Sequence, residues 1–399
     1  MKILLIHNFY GSESPSGENI VFEQEKEMLI SAGHEINTLE KNSDSIRSIG
    51  KVGMLIGALS NIFNPLVLIQ LLRKIKSFRP DVIHVHNTFP LISWSVFIAA
   101  KLGGVPIVYT LHNYRLVCTN AILLKNHKTC EECLKKIFGW PGFANRCYRN
   151  SRIASLSNVI ATSVPKLLGV WSWGVSQFIV LSEFQRNKMI EAGFKENLIS
   201  VKGNFLDCDS NDSVVPVGGE QVMYLGRLSA EKGVEMLIKT WSELDNPPVL
   251  KIVGDGELKS ELDVRVRENN LDKKVLFTGF LTPDQVNKEL EKTNFLVLPS
   301  IWYETFGMVI LEAFAKEVPV IVSNVGGPSS IVEDQKSGFI FKVNSQSDLN
   351  EKVEFALKNR LKLQEMKKYI RETVMPRHSS QQNLSVLEKI YRTAINQKK

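Results

Sequence analysis

The 399-residue sequence lacks the motifs of several common ligand-binding classes. No G-x-G-x-x-G stretch opens a helix in either half, which disfavours a nicotinamide or flavin dinucleotide site, and there is no Walker A motif. No block of lysine and arginine resembles a nucleic-acid-binding arm. The formal charge of +7 therefore favours other anions, such as nucleotide phosphates or acidic lipid, and we expect no nucleic-acid partner.

The sequence also lacks a clean apolar run of the roughly 20 residues that a membrane-spanning helix needs. Its most apolar segment, Met54 to Leu72, is interrupted by polar residues and Pro65. This segment predicts amphipathic helical sequence resting on an anionic membrane surface, with a buried helical pair as the alternative. The start, Met1 to Ile6, is too short for a signal-peptide core and is typical of a first strand. We therefore expect a cytoplasmic protein, peripheral on the inner face of the cell membrane. The basic residues that flank the apolar segment are Arg47, Lys51, Arg73, Lys74 and Lys76.

Cysteine is scarce, and four of the five cysteines lie in one stretch, at Cys118, Cys130, Cys133 and Cys147. Because disulfides are rare in cytosolic proteins, the single C-x-x-C with two outer thiols predicts a structural zinc site. The alternative is a set of reduced thiols that stiffens a loop between strands.

Short apolar runs alternate with helical patterns in two blocks, and a polar stretch from Asp207 to Gly219 separates the blocks. Such alternation predicts α/β folding with parallel sheets, and the length allows two domains. We expect two doubly wound, Rossmann-like domains facing across a cleft, at residues 1–205 and 206–380. A cysteine-containing insertion occupies about 118–147 of the first. Ile160 to Ser163 is interpreted as a short strand of the first domain.

Two carboxylates stand out in the stretch from Tyr303 to Ala313, which follows the apolar run Phe295 to Leu298. Glu304 is predicted to lie in the loop before a helix, and Glu312 in the second turn of that helix. A carboxylate in such a place needs hydroxyl or N–H partners, which sugar hydroxyls would supply. The alternative is a surface ion pair of Glu312 with Lys316, four residues further on.

Two cations flank a strand-to-helix turn in the same half of the chain. Arg227 offers a planar fork and Lys232 a compact charge, a combination suited to a diphosphate. Either residue alone could be an ordinary surface cation. Together with Glu304 and Glu312, they predict a nucleotide-sugar site.

The first half contributes two candidates at the ends of strands. Gly17 is expected at a helix N-terminus, where it either admits close approach of a ligand or is a plain turn glycine. His112 falls just past the strand Pro106 to Leu111, at the edge where ligands bind in open α/β sheets.

These motifs resemble retaining glycosyltransferases of the GT-B fold, family four. The resemblance rests on Gly226-Arg227-Leu228 with Glu231-Lys232-Gly233, on Val253-Gly254-Asp255-Gly256, and on Glu304 and Glu312 as a Glu-x7-Glu pair. Leu111-His112-Asn113-Tyr114-Arg115 with the downstream cysteines is similar to a branch linked to bacterial surface polysaccharides, such as O-antigen or capsule. The resemblance covers nearly the whole chain.

The resemblance implies a role for each candidate residue. Arg227 and Lys232 would bind the diphosphate and neutralise the charge that develops as it leaves. Glu304 would hold hydroxyls of the transferred sugar, and Glu312 would bind the ribose. His112 would lie near the sugar, Gly17 would line the cleft, and the final helix, within residues 381–399, would cross back to the first domain. The other donor-binding positions implied are Gly254, Glu257, Phe280, Thr305, Phe306, Gly307, Met308 and Val309.

The function implied is transfer of a sugar, with retention, from a nucleoside-diphosphate sugar to a lipid-linked saccharide in surface polysaccharide biosynthesis. No cofactor or divalent metal is expected for catalysis, because the two cations neutralise the leaving group. Two alternatives stay open: a nucleotide-sugar epimerase on the same architecture, and a non-catalytic subunit that binds sugar nucleotides.

Overall fold

The computed structural model of the protein describes residues 1–11, 17–207 and 219–397. The chain forms two compact units. The first contains Met1–Leu123, Cys130–Gly203 and Leu384–Lys399, and the second contains Leu124–Thr129 and Asn204–Asn383. Most of the polar stretch predicted to be a linker, including Cys208 and Asp209, lies outside the described residues.

A parallel six-stranded sheet forms the centre of the first unit. Its six strands are β1 (Lys2–Phe9), β2 (Glu35–Asn42), β3 (Val82–Val85), β4 (Ile107–Leu111), β7 (Gln177–Val180) and β8 (Ile199–Val201). Strands β5 (Leu124–Lys125) and β6 (Lys128–Thr129) form a separate antiparallel hairpin, which belongs to the second unit. The order across the sheet is β2-β1-β3-β4-β7-β8. Strand β1 is buried from Ile3 to Ile6 without alternation, as expected for a parallel strand covered on both faces.

Helices cover this sheet, and capping residues in the sequence fix several of their starts. The helices are α1 (Gly17–Ser31), α2 (Asp44–Arg47), α3 (Gly50–Ile62), α4 (Pro65–Phe78), α5 (Ser95–Gly103), α6 (Trp140–Ala144), α7 (Arg152–Leu167), α8 (Val170–Trp173) and α9 (Glu183–Glu191). The Asn64 side chain accepts hydrogen bonds from two backbone N–H groups at the start of α4, and Pro65 follows it at the first helical position. Ser151 and Ser182 cap α7 and α9 in the same way.

The second unit repeats this plan with a sheet of order β11-β10-β9-β12-β13-β14, again entirely parallel. Its strands are β9 (Gln221–Leu225), β10 (Val249–Val253), β11 (Val275–Gly279), β12 (Thr293–Leu298), β13 (Val320–Ser323) and β14 (Gly338–Phe341). The helices that follow along the chain are α10 (Val234–Glu243), α11 (Lys259–Glu268), α12 (Pro283–Leu290), α13 (Met308–Ala315), α14 (Pro328–Ile331), α15 (Gln346–Lys358), α16 (Arg360–Tyr369), α17 (Met375–Arg377) and α18 (Ser380–Asn396).

The last helix, α18, completes the core of the first unit. Its residues from Leu384 onward belong to that unit, and Leu387, Tyr391 and Ala394 are fully buried there. They pack in one cluster with Ile3 of β1 and Phe22 of α1. The last helix thus forms part of the hydrophobic core of the first unit.

The prediction of a strand at Ile160 to Ser163 is wrong. These residues lie in the middle of α7, which begins after the Ser151 cap and continues to Leu167. A short apolar run has the same appearance in a strand and in a buried helix turn, so periodicity alone could not separate them. The buried residues Ser155, Val159 and Ser163 recur every four positions, as on one face of a helix.

The apolar segment predicted to be amphipathic forms two helices, α3 and α4, with an angle of 57° between them. Within the described residues, no one helix is both long enough and apolar enough to cross a membrane. Helices α3 and α4 meet both conditions when they are counted together as one bent pair. Helix α3 buries Gly53, Gly57 and Asn61. Its apolar side chains Val52, Leu55 and Leu59 point outward and are exposed.

Candidate functional site

The candidate residues of the second unit lie where the order of the strands in its sheet reverses. Strand β9 occupies the middle of the sheet, with β10 and β11 on one side and β12 onward on the other. The loops after β9 and β12 therefore diverge from neighbouring strands and leave a crevice at their carboxyl ends, which is where open α/β sheets bind ligands. Arg227 and Lys232 follow β9, and Glu304 follows β12.

The turn after β9 holds both predicted cations. Tyr224, at the end of the strand, donates its hydroxyl hydrogen bond to the carbonyl of Arg227 at 2.8 Å. The Arg227 guanidinium is 71% exposed and lies 3.2 Å from the carboxylate of Glu231. Glu231 also accepts a hydrogen bond from Ser229 at 2.6 Å, so it anchors the turn as well as pairing with the arginine.

Lys232 pairs directly with Glu304 across the crevice of the second sheet. Its ammonium donates to both carboxylate oxygens, each at 3.0 Å, and it lies 5.5 Å from the centre of the Trp302 ring. The Ser300 hydroxyl donates to the same carboxylate at 3.3 Å. The structure thus brings together a predicted phosphate-binding cation and a predicted sugar-binding carboxylate that are 72 residues apart in sequence.

Backbone hydrogen bonds join the loops after β9, β10 and β11 into one rim. The N–H of Gly226 donates to Val253 at 3.0 Å, and the N–H of Gly254 donates to Gly279 at 2.9 Å. Gly254 has a φ of +130°, and a Cβ there would lie 2.0 Å from the Gly226 carbonyl oxygen. Only glycine fits this contact without displacing the neighbouring loop. Gly254 therefore sets the spacing between two loops of the rim, and its part in donor binding stays a prediction.

The loop that carries Glu304 is supported by a glycine pair that sequence reasoning missed. The N–H of Gly327 donates to the Glu304 carbonyl at 2.6 Å. A Cβ at Gly326 would lie 2.8 Å from both the nitrogen and the oxygen of Glu304. The sequence signal is Gly326-Gly327, which follows β13 after two intervening residues, but a pair of glycines there is also typical of an ordinary turn.

Helix α13 begins directly after this loop. Phe306 is buried, and Gly307 precedes the first helical residues, Met308 and Val309. N–H groups in the first turn of a helix have no partner within the helix, so this end suits hydroxyl or carboxylate oxygens of a ligand. Glu312 lies in the second turn, as predicted, and burial raises its pKa above the ordinary value. Thr305 lies in the loop beside Glu304.

The remaining predicted positions of this unit lie on the same rim. Glu257 is exposed in the turn between Gly254 and helix α11. Phe280 follows β11, two strands from β9, and its ring is largely exposed. An exposed ring at this edge is available to border a planar base.

In the first unit, His112 follows β4 directly and contacts another histidine. Its Nε2 lies 3.1 Å from Nδ1 of His86, which follows β3, and the two rings are stacked at 5.3 Å. Burial lowers the pKa of His112 well below its usual value, and the neighbouring imidazoles His86 and His7 lower it further. His112 is therefore neutral near pH 7. Gly17 is the exposed first residue of α1, and a Cβ there would meet no described atom within 4 Å.

A buried carboxylate, which the sequence did not reveal, lies behind these histidines. Glu25 of α1 is 1% exposed and accepts a hydrogen bond from the Lys202 ammonium at 2.7 Å. Its other oxygen lies 3.1 Å from His84 and 3.2 Å from His86. Burial alone would raise the pKa of Glu25, but Lys202 and the two imidazoles hold it well below the ordinary range. Because Glu25 occupies an unremarkable helical position, no sequence pattern could have found it.

The four cysteines predicted to bind zinc lie in the first unit and form no disulfide. Cys118 donates to the Asn120 side chain at 2.8 Å, and burial raises the pKa of the Cys118 and Cys133 thiols. Within the described ranges, the ligand atoms close enough to hold an ion are those of Glu25, His84 and His86, and no trio of these sulfur atoms is among them. The zinc site stays a prediction that would require the thiols to come closer together.

Comparison with known proteins assigns both halves of the chain to one class. Residues 26–210 match the family model described as Glycosyltransferase Family 4, and residues 209–373 match the model described as Glycosyl transferases group 1. The chain belongs to the glycosyltransferases. The resemblance inferred from the Arg227, Lys232 and Glu304 motifs is confirmed.

Two relatives show the range of this similarity. An Escherichia coli enzyme named UDP-Gal:alpha-D-GlcNAc-diphosphoundecaprenol alpha-1,3-galactosyltransferase is 28% identical over 340 residues, which are 82% of this glycosyltransferase and 81% of the relative. A Staphylococcus aureus (strain COL) poly(ribitol-phosphate) alpha-N-acetylglucosaminyltransferase is 27% identical over 221 residues, 54% of this chain and 43% of its own.

Solved glycosyltransferase structures share the fold. Anabaena Alr3699/HepE, in complex with UDP, aligns with a TM-score of 0.66 at 19% identity and covers 98% of this chain and 100% of its own. The lipopolysaccharide outer core galactosyltransferase WaaB, in its apo form, aligns with a TM-score of 0.66 at 16% identity, covering 98% and 99%. The predicted fold class, two doubly wound α/β domains of the GT-B type, is confirmed.

Proposed function

We propose that this glycosyltransferase moves a hexosyl group, with retention of anomeric configuration, from a nucleoside-diphosphate sugar to a lipid-linked saccharide in surface polysaccharide biosynthesis, such as O-antigen or capsule. The observation that carries the proposal is the pairing of Lys232 with Glu304 at the switch point of the second sheet. A cation for phosphate and a carboxylate for hydroxyls meet there, Lys232 shortly before α10 and Glu304 in the loop before α13. That combination matches the two halves of a nucleotide sugar.

The leaving diphosphate is stabilised by charge already present in the second unit. Lys232 and Arg227 neutralise the negative charge that grows on the phosphate as the sugar departs, so no divalent metal is required. Glu304 accepts hydrogen bonds from sugar hydroxyls, and Glu312 accepts them from the ribose. The departing phosphate oxygen takes the proton of the acceptor hydroxyl on the same face of the sugar, which yields retention.

A direct test measures release of nucleoside diphosphate when purified protein is given nucleotide sugars and a membrane-derived lipid-linked acceptor. We expect release with a matching pair, and Lys232→Ala should lower the rate about 100-fold or more, as removal of one stabilising donor does elsewhere. The matched control is Lys251→Ala, because Lys251 is a lysine of similar burial that pairs with Glu289. Undiminished release by the Lys232→Ala variant would refute the role assigned.

The same reactions decide the stereochemistry and the alternatives. Proton NMR of the product should show the anomeric configuration of the donor, and an inverted linkage would exclude the retaining mechanism. An altered nucleotide sugar formed without acceptor would favour the epimerase. Tight donor binding with no turnover under any acceptor would favour a non-catalytic binding subunit.

The lipid-linked acceptor is supported by the exposed apolar face of α3 and α4. This face presents Val52, Leu55, Leu59, Leu66 and Ile69 to the outside, because α3 buries its glycines instead. A Cβ at Gly53 would lie 1.6 Å from the Ile46 carbonyl, so α3 packs with its backbone against its neighbour and turns its large side chains away.

Basic residues on the same two helices suit an anionic lipid surface. Lys51, Arg73 and Lys76 are exposed along the two helices. Apolar side chains entering the headgroup region and lysines facing anionic lipid act together in peripheral attachment. We infer that the protein binds the inner face of the cell membrane through α3 and α4. The name of the Escherichia coli relative, which includes diphosphoundecaprenol, supports an acceptor held in a membrane.

Vesicle sedimentation tests this attachment. The protein should sediment with phosphatidylglycerol-containing vesicles and far less with phosphatidylcholine vesicles. The double variant Leu55→Glu, Leu59→Glu should bind at least about 100-fold more weakly, since each buried leucine contributes about 1.5–3 kcal/mol. Leu361→Glu, on an exposed leucine of α16, is the control. Unchanged sedimentation of the double variant, or a dimer in solution that the double variant abolishes, would refute a lipid partner.

A further inference from the structure

Helix α6 turns a glycine inward and a tryptophan outward, much as α3 buries Gly53 and exposes its leucines. A Cβ at Gly142 would lie 1.9 Å from Oγ1 of Thr119, so the backbone of α6 packs directly against the segment that follows β4. Trp140, the first residue of the helix, is exposed, and so is Phe138 just before it. Two large aromatic side chains are therefore left on the surface of the first unit.

Helix α7 is inverted in the same sense. It buries the polar side chains of Ser155, Asn158 and Ser163, whereas Ile153 and Leu156 are exposed. A helix that packs against a hydrophobic core normally buries its apolar side chains and leaves its polar ones in water. The buried polar groups of α7 find partners within the first unit instead, and the amide of Asn158, for example, donates to a backbone carbonyl after β4 at 3.1 Å. The apolar side chains of α7 are thus left for a partner outside the chain.

Helices α3, α6 and α7 pack together. The hydroxyl of Ser157 donates to the carbonyl of Ala58 at 2.9 Å, so a hydrogen bond joins α7 directly to α3. The exposed Leu156 and Leu59 are next in sequence to these two residues. Helix α7 also packs against α6, so the exposed apolar side chains of all three helices lie in one region of the first unit. We call the exposed side chains of Ile137, Phe138, Trp140, Ile153 and Leu156 the α6–α7 face.

Acidic residues are missing from the stretches of sequence that form these helices. Residues 45–80, which contain α3 and α4, have six lysines and arginines and no aspartate or glutamate. Residues 133–182, which contain α6 and α7, likewise have six basic residues and no acidic one. The whole chain has 49 basic and 42 acidic residues, so the residues outside these two stretches together carry a net negative charge. The positive charge of the protein is thus concentrated in the elements that expose apolar side chains.

Apolar side chains beside an excess of positive charge fit the headgroup region of an anionic membrane, where lysine and arginine meet lipid phosphates. Tryptophan suits this boundary because its ring is apolar and its N–H is polar. Resting on the proposed attachment through α3 and α4, we propose that the α6–α7 face is a second lipid-binding surface, which enters an anionic membrane together with those helices. The exposed basic residues near this face are Lys136, Arg146, Arg149 and Arg152.

A second copy of the chain fits this face less well than lipid does. In a symmetric dimer each patch faces the same patch of the partner. The acid-free stretches 45–80 and 133–182 would then face one another, and their like charges would repel. An anionic lipid surface supplies both the opposite charge and an apolar interior, so it matches both properties of the face.

Sedimentation with phosphatidylglycerol-containing vesicles tests the α6–α7 face. Ile153→Glu should bind these vesicles at least about tenfold more weakly, because the burial of an isoleucine side chain is lost and a negative charge is added. The matched control is Leu361→Glu, since Leu361 of α16 is 75% exposed and Ile153 is 80% exposed. This control should bind as the wild type does. Both variants should keep the wild-type midpoint of thermal unfolding, because neither side chain is buried in the fold.

Trp140 is a direct probe of insertion. Lipids with brominated acyl chains quench the fluorescence of a tryptophan that enters the membrane, and the difference between the wild type and Trp140→Phe isolates the emission of Trp140. We expect phosphatidylglycerol-containing vesicles with brominated chains to quench most of that difference. Unquenched emission from Trp140 in vesicle-bound protein would overturn the proposal.

The outcomes separate this inference from the proposed attachment on which it rests. Wild-type protein that fails to sediment with anionic vesicles would overturn both. Sedimentation that is weakened by Leu55→Glu, Leu59→Glu but not by Ile153→Glu would overturn the second surface alone. A wild-type dimer in sedimentation equilibrium that Ile153→Glu converts to a monomer would show that another copy covers the face, and would likewise refute a lipid partner there.

Discussion

The pairing of Lys232 with Glu304 predicts that removing the carboxylate charge has opposite effects on binding and on catalysis. In the structure the ammonium donates to both oxygens at 3.0 Å, and the two side chains are 20% and 18% exposed. An incoming diphosphate must compete with Glu304 for this cation. Glu304→Gln keeps the shape of the side chain and removes the competing charge.

The expected gain in diphosphate affinity is small, because solvent reaches both the Lys232 and the Glu304 side chains. Two unit charges 3.0 Å apart attract by about 5.5 kcal/mol at an effective dielectric constant of about 20. Desolvation and side-chain mobility reduce the net value of such pairs to about 1 kcal/mol. We therefore expect Glu304→Gln to bind a sugar-free nucleoside diphosphate about fivefold more tightly. Transfer should nevertheless slow about 100-fold, because the amide accepts sugar hydroxyls poorly in the transition state.

Isothermal titration calorimetry and a steady-state transfer assay measure the two effects on the same preparations. The matched control is Glu289→Gln, whose carboxylate pairs with Lys251 at nearly the same burial, 19% and 18% exposed. That variant should change neither quantity. Weaker or unchanged diphosphate binding by Glu304→Gln would refute the idea that Glu304 and the phosphate share one cation.

Three further predictions concern the scaffold. Gly254→Ala should destabilise the second unit by about 3 kcal/mol, because it combines a positive φ with a clash against the next loop, whereas Gly279→Ala, with open space around it, should cost about 1 kcal/mol in denaturant unfolding; equal losses would contradict the packing argument. Burial lowers the pKa of His7 from 6.5 in the unfolded chain to about 3 in the folded protein. Protonation below pH 6.5 therefore favours the unfolded chain, and the contribution of His7 to the free energy of unfolding should fall by about 2 kcal/mol between pH 7 and pH 5. His7→Phe should remove this fall, and an unchanged pH dependence of the free energy of unfolding in the variant would count against the account. If the cysteines bind zinc, protein purified under reducing conditions should contain about one equivalent by elemental analysis, and Cys133→Ser should lower it; less than half an equivalent in the wild type would exclude the site.

The alternation of apolar runs was enough to predict most of the strands and both sheets, because parallel strands are buried on both faces and leave short continuous signals. The same reasoning placed Glu304 in a loop and Glu312 in the second turn of a helix, as the structure has them. It failed at Ile160 to Ser163, where a buried helix turn gives the same four-residue signal.

Long-range pairing was beyond the reach of the sequence. Lys232 and Glu304 were each predicted to contact ligand, but their contact with one another depends on the order of β9 and β12 in the sheet. Glu25 and Lys202 are 177 residues apart, and neither lies in a motif. Buried charge networks of this kind are set by packing, which local patterns do not encode.

The apolar segment shows a third kind of limit. Composition predicted amphipathic helices between Met54 and Leu72, but not which face would be buried. Helix α3 turns its glycines inward because its backbone packs closely against the carbonyl of Ile46, so its large side chains face out. Hydrophobic periodicity assumes that apolar side chains are buried, and here that assumption is reversed.

The central claim is that the rim of the second sheet grips a diphosphate through Lys232 and Arg227. The most direct measurement is calorimetric titration, in buffer containing EDTA, of the nucleoside diphosphate that gives the largest thermal shift. We predict that the wild type binds it, that the parent nucleoside binds far more weakly, and that Arg227→Ala, Lys232→Ala removes most of that difference. A double variant that still prefers the diphosphate as strongly as the wild type would contradict the account.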